Sequence, residues 1–187
     1  MKLPIVRYGD PILRAKGQRI DQVDAELREL AANMIETMHE AHGVGLAAQQ
    51  VGAALQLTVV DLSGAEDQAS TLKLNGAEAD PKTSMPLVLL NPELVLGKET
   101  DVALEGCLSF PEITADIRRA ISVVVRAQTL EGEALQIEAS GLLARALQHE
   151  VDHLNGVLFI DRMSAATKVA LRSRLKRMQK ETAAAAR

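Results

Sequence analysis

The segment Gln148-His149-Glu150-Val151-Asp152-His153 is the strongest chemical signal in the chain. Two histidines four residues apart lie on one face of an α-helix, so both imidazoles can bind the same metal ion. Between them, Glu150 can reach a water molecule on that metal and accept its proton. The spacing therefore predicts a hydrolytic metal centre on a helix. The simpler interpretation is two surface histidines on an amphipathic helix.

A catalytic centre of this kind usually has three protein ligands and leaves a fourth position to water, so a further ligand is needed. The protease pattern HExxHxxGxxH fails here because Phe159 takes the place of its last histidine. Asp161 and Glu181 are the downstream carboxylates that other proteases could use. Cys107 is the better candidate, because a thiolate binds first-row metals strongly. Taken alone, a single cysteine is more often a small buried hydrophobic residue.

A third segment, GVGLAAQQVG over residues 43–52, has small residues that let another backbone approach closely. It contains no GKS or GKT, and Ala48 stands where GxGxxG requires its third glycine. A phosphate-binding loop is therefore not supported. A helix cap followed by a turn is the structural alternative.

The elements that must position these residues follow from hydrophobic periodicity. Apolar steps of three and four residues predict amphipathic helices over 24–42, ending at Gly43, and over 142–156, with a last helix from about residue 164. Apolar runs predict strands, and the short turn at 129–133 makes the later ones antiparallel. The predicted strands are 55–60, 87–90, 121–127 and 134–139. Residues 63–86, rich in polar and turn-forming types, are predicted to form a long surface loop.

Composition narrows the class of protein. The chain has 187 residues, 47% of them hydrophobic and 25% charged, as in a soluble globular protein. We expect one catalytic domain, residues 1–187, with an α+β fold: antiparallel sheets packed around a central helix that carries HExxH, with an N-terminal and a C-terminal helix. One cysteine excludes an internal disulfide, and no apolar run is long enough to cross a membrane. We therefore expect a cytoplasmic protein with no membrane partner.

Charge and aromatic content indicate which kinds of macromolecule the chain could bind. Aromatic residues are only 2%, which argues against stacking on nucleic-acid bases, and we expect no DNA partner. After residue 163 seven basic residues face one acidic residue, a net charge of +6, whereas the rest of the chain carries −10. Residues 164–187 are therefore predicted to form a basic helix that binds a polyanion or is simply solvated.

Three motifs taken together, GVGLAAQQ, EGCLS and QHEVDH, in this order and at these separations, closely resemble the peptide deformylase family. The N-terminal segment YGDPILR is also similar to the start of that family. The resemblance covers nearly the whole chain, except residues 63–86 and the tail. It implies a metal-dependent hydrolase that removes the N-formyl group from the formyl-methionine of newly made proteins and releases formate.

The resemblance also implies the metal and the reacting groups. One divalent ion, typically Fe(II), with Zn, Ni or Co possible in isolated protein, is held by Cys107, His149 and His153 with water in the fourth position. Glu150 would deprotonate that water and return the proton to the leaving amine. In the family, the side-chain amide of Gln50 and the backbone N–H of Leu108 stabilise the charge that develops on the formyl oxygen.

Substrate contacts follow from the same resemblance. The backbone of Gly43, Val44, Gly45 and Leu46 would pair with the extended peptide as an added strand, and Gly45 would leave room for the formyl-methionine. Val44 and Leu142 would line the methionine pocket. Glu105 and Gly106, which precede the cysteine, are further substrate-binding positions. The resemblance extends to ribosome binding through the basic tail.

The chain departs from the family pattern at three positions near this site. His42 stands where many members have an acidic residue, Thr114 where bacterial forms often have a basic one, and Arg145 where an apolar residue is expected. Arg118 or Arg119 is predicted to supply the missing positive charge. His39 and His42 are interpreted as helix-end residues that suit the helix dipole and not as ligands.

Two other functions stay open at this point. The first is a metalloprotease or other metal amidase that uses His149, His153 and Asp161 as ligands and Glu150 as base. The second is a ribosome-associated structural module without catalysis. Replacing Cys107 by Ser separates the first from a deformylase, and replacing Glu150 by Gln tests the second.

Overall fold

The computed structural model describes residues 1–66 and 70–185 of the chain. Its main helices are α1 (Ala25–Glu40), α2 (Gly141–Leu154), the short α3 (Phe159–Arg162) and α4 (Ala165–Ala185). Its strands are β1 (Gly45–Ala47), β2 (Leu57–Val60), β3 (Leu72–Leu74), β4 (Ala77–Ala79), β5 (Leu87–Leu96), β6 (Thr100–Gly106), β7 (Thr114–Ala120), β8 (Ser122–Gln128) and β9 (Ala134–Ser140). Short 3₁₀ turns cover Pro11–Arg14 and Ala48–Val51.

The strands form two antiparallel sheets, which confirms the predicted α+β class. The larger sheet has the order β1-β2-β5-β8-β9-β3-β4, so β1 lies at one edge. The smaller sheet is the β6–β7 hairpin, in register from Thr100 opposite Ala120 to Gly106 opposite Thr114. Within the described residues, neither strand of this hairpin pairs with the larger sheet. Helix α2 packs between the two sheets and carries the HExxH segment.

Local sequence explains where the first helix begins and ends. The Asp24 side chain accepts a hydrogen bond from the Leu27 N–H at 2.8 Å and caps α1. The helix then buries Ala31 and Met34 against β1 and β2. The helix ends at Glu40, two residues earlier than the sequence predicts. The turn predicted at Gly43 is made by His42, which has a φ of +55°.

The prediction of one long loop over residues 63–86 is wrong for part of that stretch. Strands β3 and β4 form a hairpin there, joined at Asn75 and Gly76, which have φ of +50° and +83°. An Asn-Gly pair is a strong hairpin signal, but strands of three residues are too short to show a period of two. Residues 67–69 of the predicted loop lie outside the described residues.

The predicted strand at 87–90 is longer in the structure and continues to Leu96. The sequence pattern also does not predict the β6–β7 hairpin. Strand β5 passes Pro92 through a change of register between Leu90 and Glu93, and this bulge accommodates a residue that cannot donate to a ladder. In β7 the buried residues Ala115, Ile117 and Arg119 alternate with exposed ones. Because one of the buried residues is an arginine, the alternation was not recognised as a strand.

The core of the described residues is divided among three apolar clusters, of which the first includes α2. The first lies between α2 and the larger sheet, the second under α1, and the third under the hairpin, α3 and α4. Helix α4 joins the third cluster through Leu171, Leu175 and Met178. The predicted C-terminal helix is therefore packed on the body of the protein. Residues 186–187 of the tail lie outside the described residues. No helix in the described part of the chain is long and apolar enough to span a membrane.

Candidate active site

Helix α2 presents both histidines of the HExxH segment toward the β6–β7 hairpin. His149 and His153 are only 8% and 1% exposed, and their ring centroids are 5.0 Å apart. Leu143 and Leu147 hold the other side of the helix in the first apolar cluster. The two imidazoles are therefore fixed in the interior and do not form part of a solvated helix face.

Cys107 completes a group of three ligand-type side chains. It follows the last residue of β6, and its Sγ lies 3.3 Å from Nε2 of His153. The possible ligand atoms of Cys107, His149 and His153 all lie within 4.8 Å of one another. One thiolate and two imidazoles suit a divalent first-row transition metal or zinc and leave a position for water. Three donors converging on one point in the interior fit a single ion.

Glu105 orients the first histidine. Its Oε2 lies 3.2 Å from Nδ1 of His149. Burial raises the pKa of Glu105, but hydrogen bonds from His149 and Arg119 outweigh burial and lower the pKa to about 2. A carboxylate can only accept, so Nδ1 carries the proton and Nε2 is left free for a metal. The carboxylate thus selects the tautomer that a ligand needs.

Glu150 is buried beside this group. It is 4% exposed, and its Oε2 has no hydrogen-bond partner among the described residues. Burial raises its pKa to about 7, although His149 and Arg119 act in the opposite direction. A carboxyl group that titrates near neutrality can both accept and return a proton at physiological pH.

Gln50 directs an amide toward the same point. Its Oε1 accepts the Ala47 N–H at 2.9 Å, which fixes the orientation of the amide. Its Nε2 is then turned toward Cys107, 3.5 Å from Sγ, and toward Ser109, 3.3 Å from Oγ. The backbone N–H of Leu108 donates to no group among residues 1–66 and 70–185. Two N–H donors are thus available beside the cysteine.

A cavity of about 500 Å³ opens onto these groups. Its walls include Leu108 and most of the residues predicted to bind substrate, namely Gly43, Val44, Gly45, Glu105, Gly106 and Leu142. Leu46 is different, because its side chain is fully buried in the second apolar cluster and only its backbone lies on the edge strand β1. The cavity therefore runs from the start of β1 to Cys107, His149 and Glu150.

Comparison with known protein families identifies the family of the chain. The model of the polypeptide deformylase family matches residues 2–169. The chain belongs to this family. Its match includes all three motifs, so the family predicted from them is confirmed.

Relatives and solved structures agree with this assignment. The chain is 50% identical to a peptide deformylase of Opitutus terrae over 189 residues, covering 100% of this chain and 98% of the relative. It is 46% identical to the peptide deformylase of Methylacidiphilum infernorum, over 96% and 94% of the two chains. The crystal structure of Arabidopsis thaliana peptide deformylase 1B in complex with an inhibitor superposes with a TM-score of 0.83 at 38% identity, covering 97% and 91%.

Other carboxylates considered as ligands lie elsewhere in this peptide deformylase fold. Asp161 accepts hydrogen bonds from Arg14, at 3.1 Å to Nη2, and from the Leu158 N–H at 2.9 Å. Glu181 lies on α4, 3.7 Å from Arg177. Neither belongs to the ligand group that the described residues form. The ligand set that a metalloprotease would need is therefore not assembled.

The arginines near the site of this deformylase-family chain do not have the role that the sequence suggested. Arg119 is 5% exposed and is bonded to Glu105 and Asp152, so its charge is neutralised within the protein. Arg118 is exposed and its Nη1 lies 3.3 Å from the Thr100 side chain. Neither lines the cavity. The expectation that one of them supplies a positive charge to the substrate is wrong.

Arg145 does line the deformylase cavity, but its guanidinium is bound within the protein by three groups. It donates to Glu105 and to Asp101 on β6, and to the Ile117 carbonyl on β7. Sequence reasoning missed this network of buried charges. The signal was available in Arg119 and Arg145, which occupy inward positions of a strand and a helix and so require buried acidic partners.

The remaining histidines are not part of the ligand group of this deformylase fold. His39 lies in the last turn of α1, and its Nε2 is 2.8 Å from the buried carboxylate of Asp61. His42 is exposed and lines the outer part of the cavity, as does Thr114. Two of the three positions that depart from the family pattern, His42 and Thr114, thus line the cavity with exposed side chains, whereas Arg145 is buried.

Proposed function

We propose that this chain removes the formyl group from the N-terminal formyl-methionine of newly made proteins and releases formate. The observation that carries the proposal is the convergence of a buried Glu150 and the Cys107, His149 and His153 side chains at the end of a cavity that follows a free strand edge. Membership of the polypeptide deformylase family supports it. We also propose that residues 1–187 act as one catalytic domain in the cytoplasm.

The metal would be held by Cys107 Sγ and by the Nε2 atoms of His149 and His153. When bound, a divalent ion supplies Lewis-acid chemistry, which lowers the pKa of water and polarises a carbonyl oxygen. Iron(II) is our proposal for the ion in the cell. Zinc, nickel or cobalt can occupy such a donor set in isolated protein, since availability as well as affinity decides occupancy.

Glu150 would handle the proton in both halves of the reaction. Its carboxylate accepts the proton of the attacking water, and the resulting carboxylic acid donates that proton to the amine that leaves. The pKa of about 7 supports this double role because neither state is strongly disfavoured at neutral pH. A cation in the adjacent ligand group would favour the carboxylate.

Gln50 and Leu108 would stabilise the negative charge that develops on the formyl oxygen. The Gln50 amide is already oriented by the Ala47 N–H, so its Nε2 needs no reorganisation when charge appears. The Leu108 N–H would supply a second donor. Gln50 follows the edge strand β1 closely in the chain, and Leu108 follows the cysteine.

The substrate peptide would add as a further strand to the free edge of β1. Backbone groups of Gly43, Val44, Gly45 and Leu46 would bind the peptide main chain. Val44 and Leu142 would contact the methionine side chain. Main-chain pairing tolerates any following sequence, which suits an enzyme that acts on many different nascent proteins.

Formate release from a formyl-Met tripeptide tests the proposal directly. The protein is loaded anaerobically with Fe(II), and an acetyl-Met tripeptide and the Glu150→Gln variant serve as controls. We expect release from the formyl peptide alone and its loss in the variant. No release with the metal confirmed bound would overturn the proposal and favour peptide-bond substrates.

We further propose that α4 binds the ribosome. Its residues Lys168, Arg172, Lys176 and Lys180 recur every four positions and are all exposed, so they form a cationic row along a helix whose packed residues are Leu171, Leu175 and Met178. Such a row suits the phosphate backbone of RNA. The packed face keeps the row in a fixed position relative to the active site.

Neutralising the row tests this without disturbing the packed face. A variant with Arg172→Gln, Lys176→Gln and Lys180→Gln should co-sediment with ribosomes less and with a weaker salt dependence. The matched control, Lys82→Gln, Lys98→Gln and Arg126→Gln, removes the same charge from exposed positions elsewhere. Equal co-sedimentation of the two variants and the parent would contradict ribosome binding through α4.

A further inference from the structure

The β6–β7 hairpin carries the cysteine of the ligand group but stands apart from the larger sheet. Cys107 directly follows Gly106, the last residue of β6, whereas His149 and His153 lie on α2. In the described parts of the chain, the ladder partners of each hairpin strand come only from the other strand. The distance between the thiol and the two imidazoles therefore depends on how the hairpin is attached to α2.

That attachment includes several buried polar contacts. The Gln148 side chain accepts from the Ala120 N–H at 3.0 Å and donates to the Ala120 carbonyl at 2.8 Å. Arg119 of β7 binds Asp152 of α2, 2.5 Å from Nη1 to Oδ2. Each of these contacts reaches one strand of the hairpin, namely β7.

Arg145 binds both strands at once. Its Nη1 donates to Glu105 Oε1 on β6 at 2.8 Å and to the Ile117 carbonyl on β7 at 2.9 Å. Its Nη2 donates to Asp101 Oδ1, also on β6, at 2.6 Å. The planar guanidinium thus spans the hairpin near its middle, and the side chain is only 9% exposed.

The same guanidinium also affects the histidine through Glu105. Oε1 of Glu105 accepts from Arg145 and from Nε of Arg119, at 2.8 and 2.9 Å. Oε2 accepts from Nη2 of Arg119 at 3.0 Å and faces Nδ1 of His149. Arg145 therefore affects the positions of two of the three ligand side chains. It affects Cys107 through the hairpin and His149 through the rotamer of Glu105.

We infer that Arg145 is a positioning residue that fixes the Cys107 thiolate and the His149 imidazole relative to each other. The inference rests on one part of the proposed function, namely that Cys107, His149 and His153 hold a metal ion. Sequence reasoning placed an apolar residue at this position in the methionine pocket. The contacts explain why an arginine fits this position. Its methylene stem can border the cavity while its guanidinium binds the hairpin.

The first test compares Arg145→Met with Arg118→Met. Arg118 is the matched control, because it lies on the same hairpin but is exposed, and its one side-chain hydrogen bond within the described residues is to Thr100, at 3.3 Å. Cobalt(II) is bound to each protein, its affinity is measured by competition with a chelator, and the cobalt–thiolate charge-transfer absorption is recorded. We expect Arg145→Met to weaken cobalt binding about tenfold and to shift or diminish this absorption. Arg118→Met should change neither.

A role as pocket wall alone gives a different result. In that case Arg145→Met would leave the cobalt affinity and spectrum of the parent unchanged and would raise only KM for the formyl peptide. This outcome would overturn the inference. Because affinity and absorption are measured without substrate, they remain informative even if the parent protein releases no formate.

Asp101→Asn provides a second variant in case Arg145→Met does not fold. The Asp101 side chain is 58% exposed, and its replacement leaves the buried Arg145 paired with Glu105. We expect a weaker change of the same kind, because one of the guanidinium contacts to β6 is weakened. Arg145→Lys, which keeps the charge but not the forked donors, should also weaken cobalt binding less than Arg145→Met. Parent-like cobalt binding and absorption in both Asp101→Asn and Arg145→Lys would contradict the inference.

Discussion

The carboxyl group of Glu150 lies against the α-carbon of Gly45. A β-carbon at position 45 would be 2.7 Å from Cδ and 2.8 Å from Cγ of Glu150, closer than side chains approach one another. Sequence reasoning assigned Gly45 to making room for the formyl-methionine. The structure adds that this glycine allows the edge strand and the carboxyl group of Glu150 to touch.

Gly45→Ala should therefore impair catalysis by moving Glu150. A displacement of about 1 Å at a reacting group commonly costs about a hundredfold in rate, so we expect kcat to fall by that order. Formate release measured at saturating formyl peptide checks this. Gly64→Ala, where the added carbon meets nothing within 4 Å, is the control. A Gly45→Ala enzyme with parent kcat would show that Glu150 tolerates displacement.

Glu150→Gln should abolish formate release but stabilise the metal-free protein at alkaline pH. The folded-state pKa of about 7 lies above the ordinary 4.5, so ionising this buried group costs stability as pH rises from about 4.5 to above 7. The cost approaches roughly 3 kcal/mol, and the variant avoids it. Urea unfolding of chelator-treated proteins at pH 5.5 and 8.5 should show the variant gaining on the parent as pH increases. A constant difference would contradict a raised pKa.

Glu105 should give the opposite pH dependence. Its folded-state pKa of about 2 lies below the ordinary 4.5, so its stabilising effect is complete above about pH 4.5 and is lost as pH falls toward 2. This contribution is about 3 kcal/mol. Glu105→Gln should remove that dependence and lower stability at neutral pH, because Arg119 and Arg145 lose their shared carboxylate. Acid unfolding profiles of variant and parent that remain parallel would argue against this assignment.

Cys107→Ser and Asp161→Asn distinguish a deformylase site from the metalloprotease alternative. We expect Cys107→Ser to lose metal affinity by an order of magnitude or more, because a hydroxyl is a much weaker ligand than a thiolate. Asp161→Asn should keep metal and formate release, and should lower only stability by weakening the contact with Arg14. Metal content after gel filtration and the urea midpoint measure these effects. Retention of metal in Cys107→Ser with loss in Asp161→Asn would reverse the ligand assignment.

The sequence by itself determined the parts of the site that depend on local geometry. Two histidines four residues apart within an apolar helical pattern can only lie on one side of α2, whatever the rest of the chain does. The Glu150 position follows from the same period. The three motifs were specific enough to identify the family, because together they specify ligands, base and edge strand over most of the chain.

Tertiary structure decided what brings Cys107 to those histidines. The cysteine is 42 residues away from His149, and the hairpin that delivers it was not predicted, since an inward arginine hides its alternation. Whether Arg119 and Arg145 face a substrate or an acidic side chain depends on Glu105, Asp101 and Asp152, which come from β6 and α2. A buried charge is stable only where several distant groups meet it, and no local pattern in a sequence encodes that meeting.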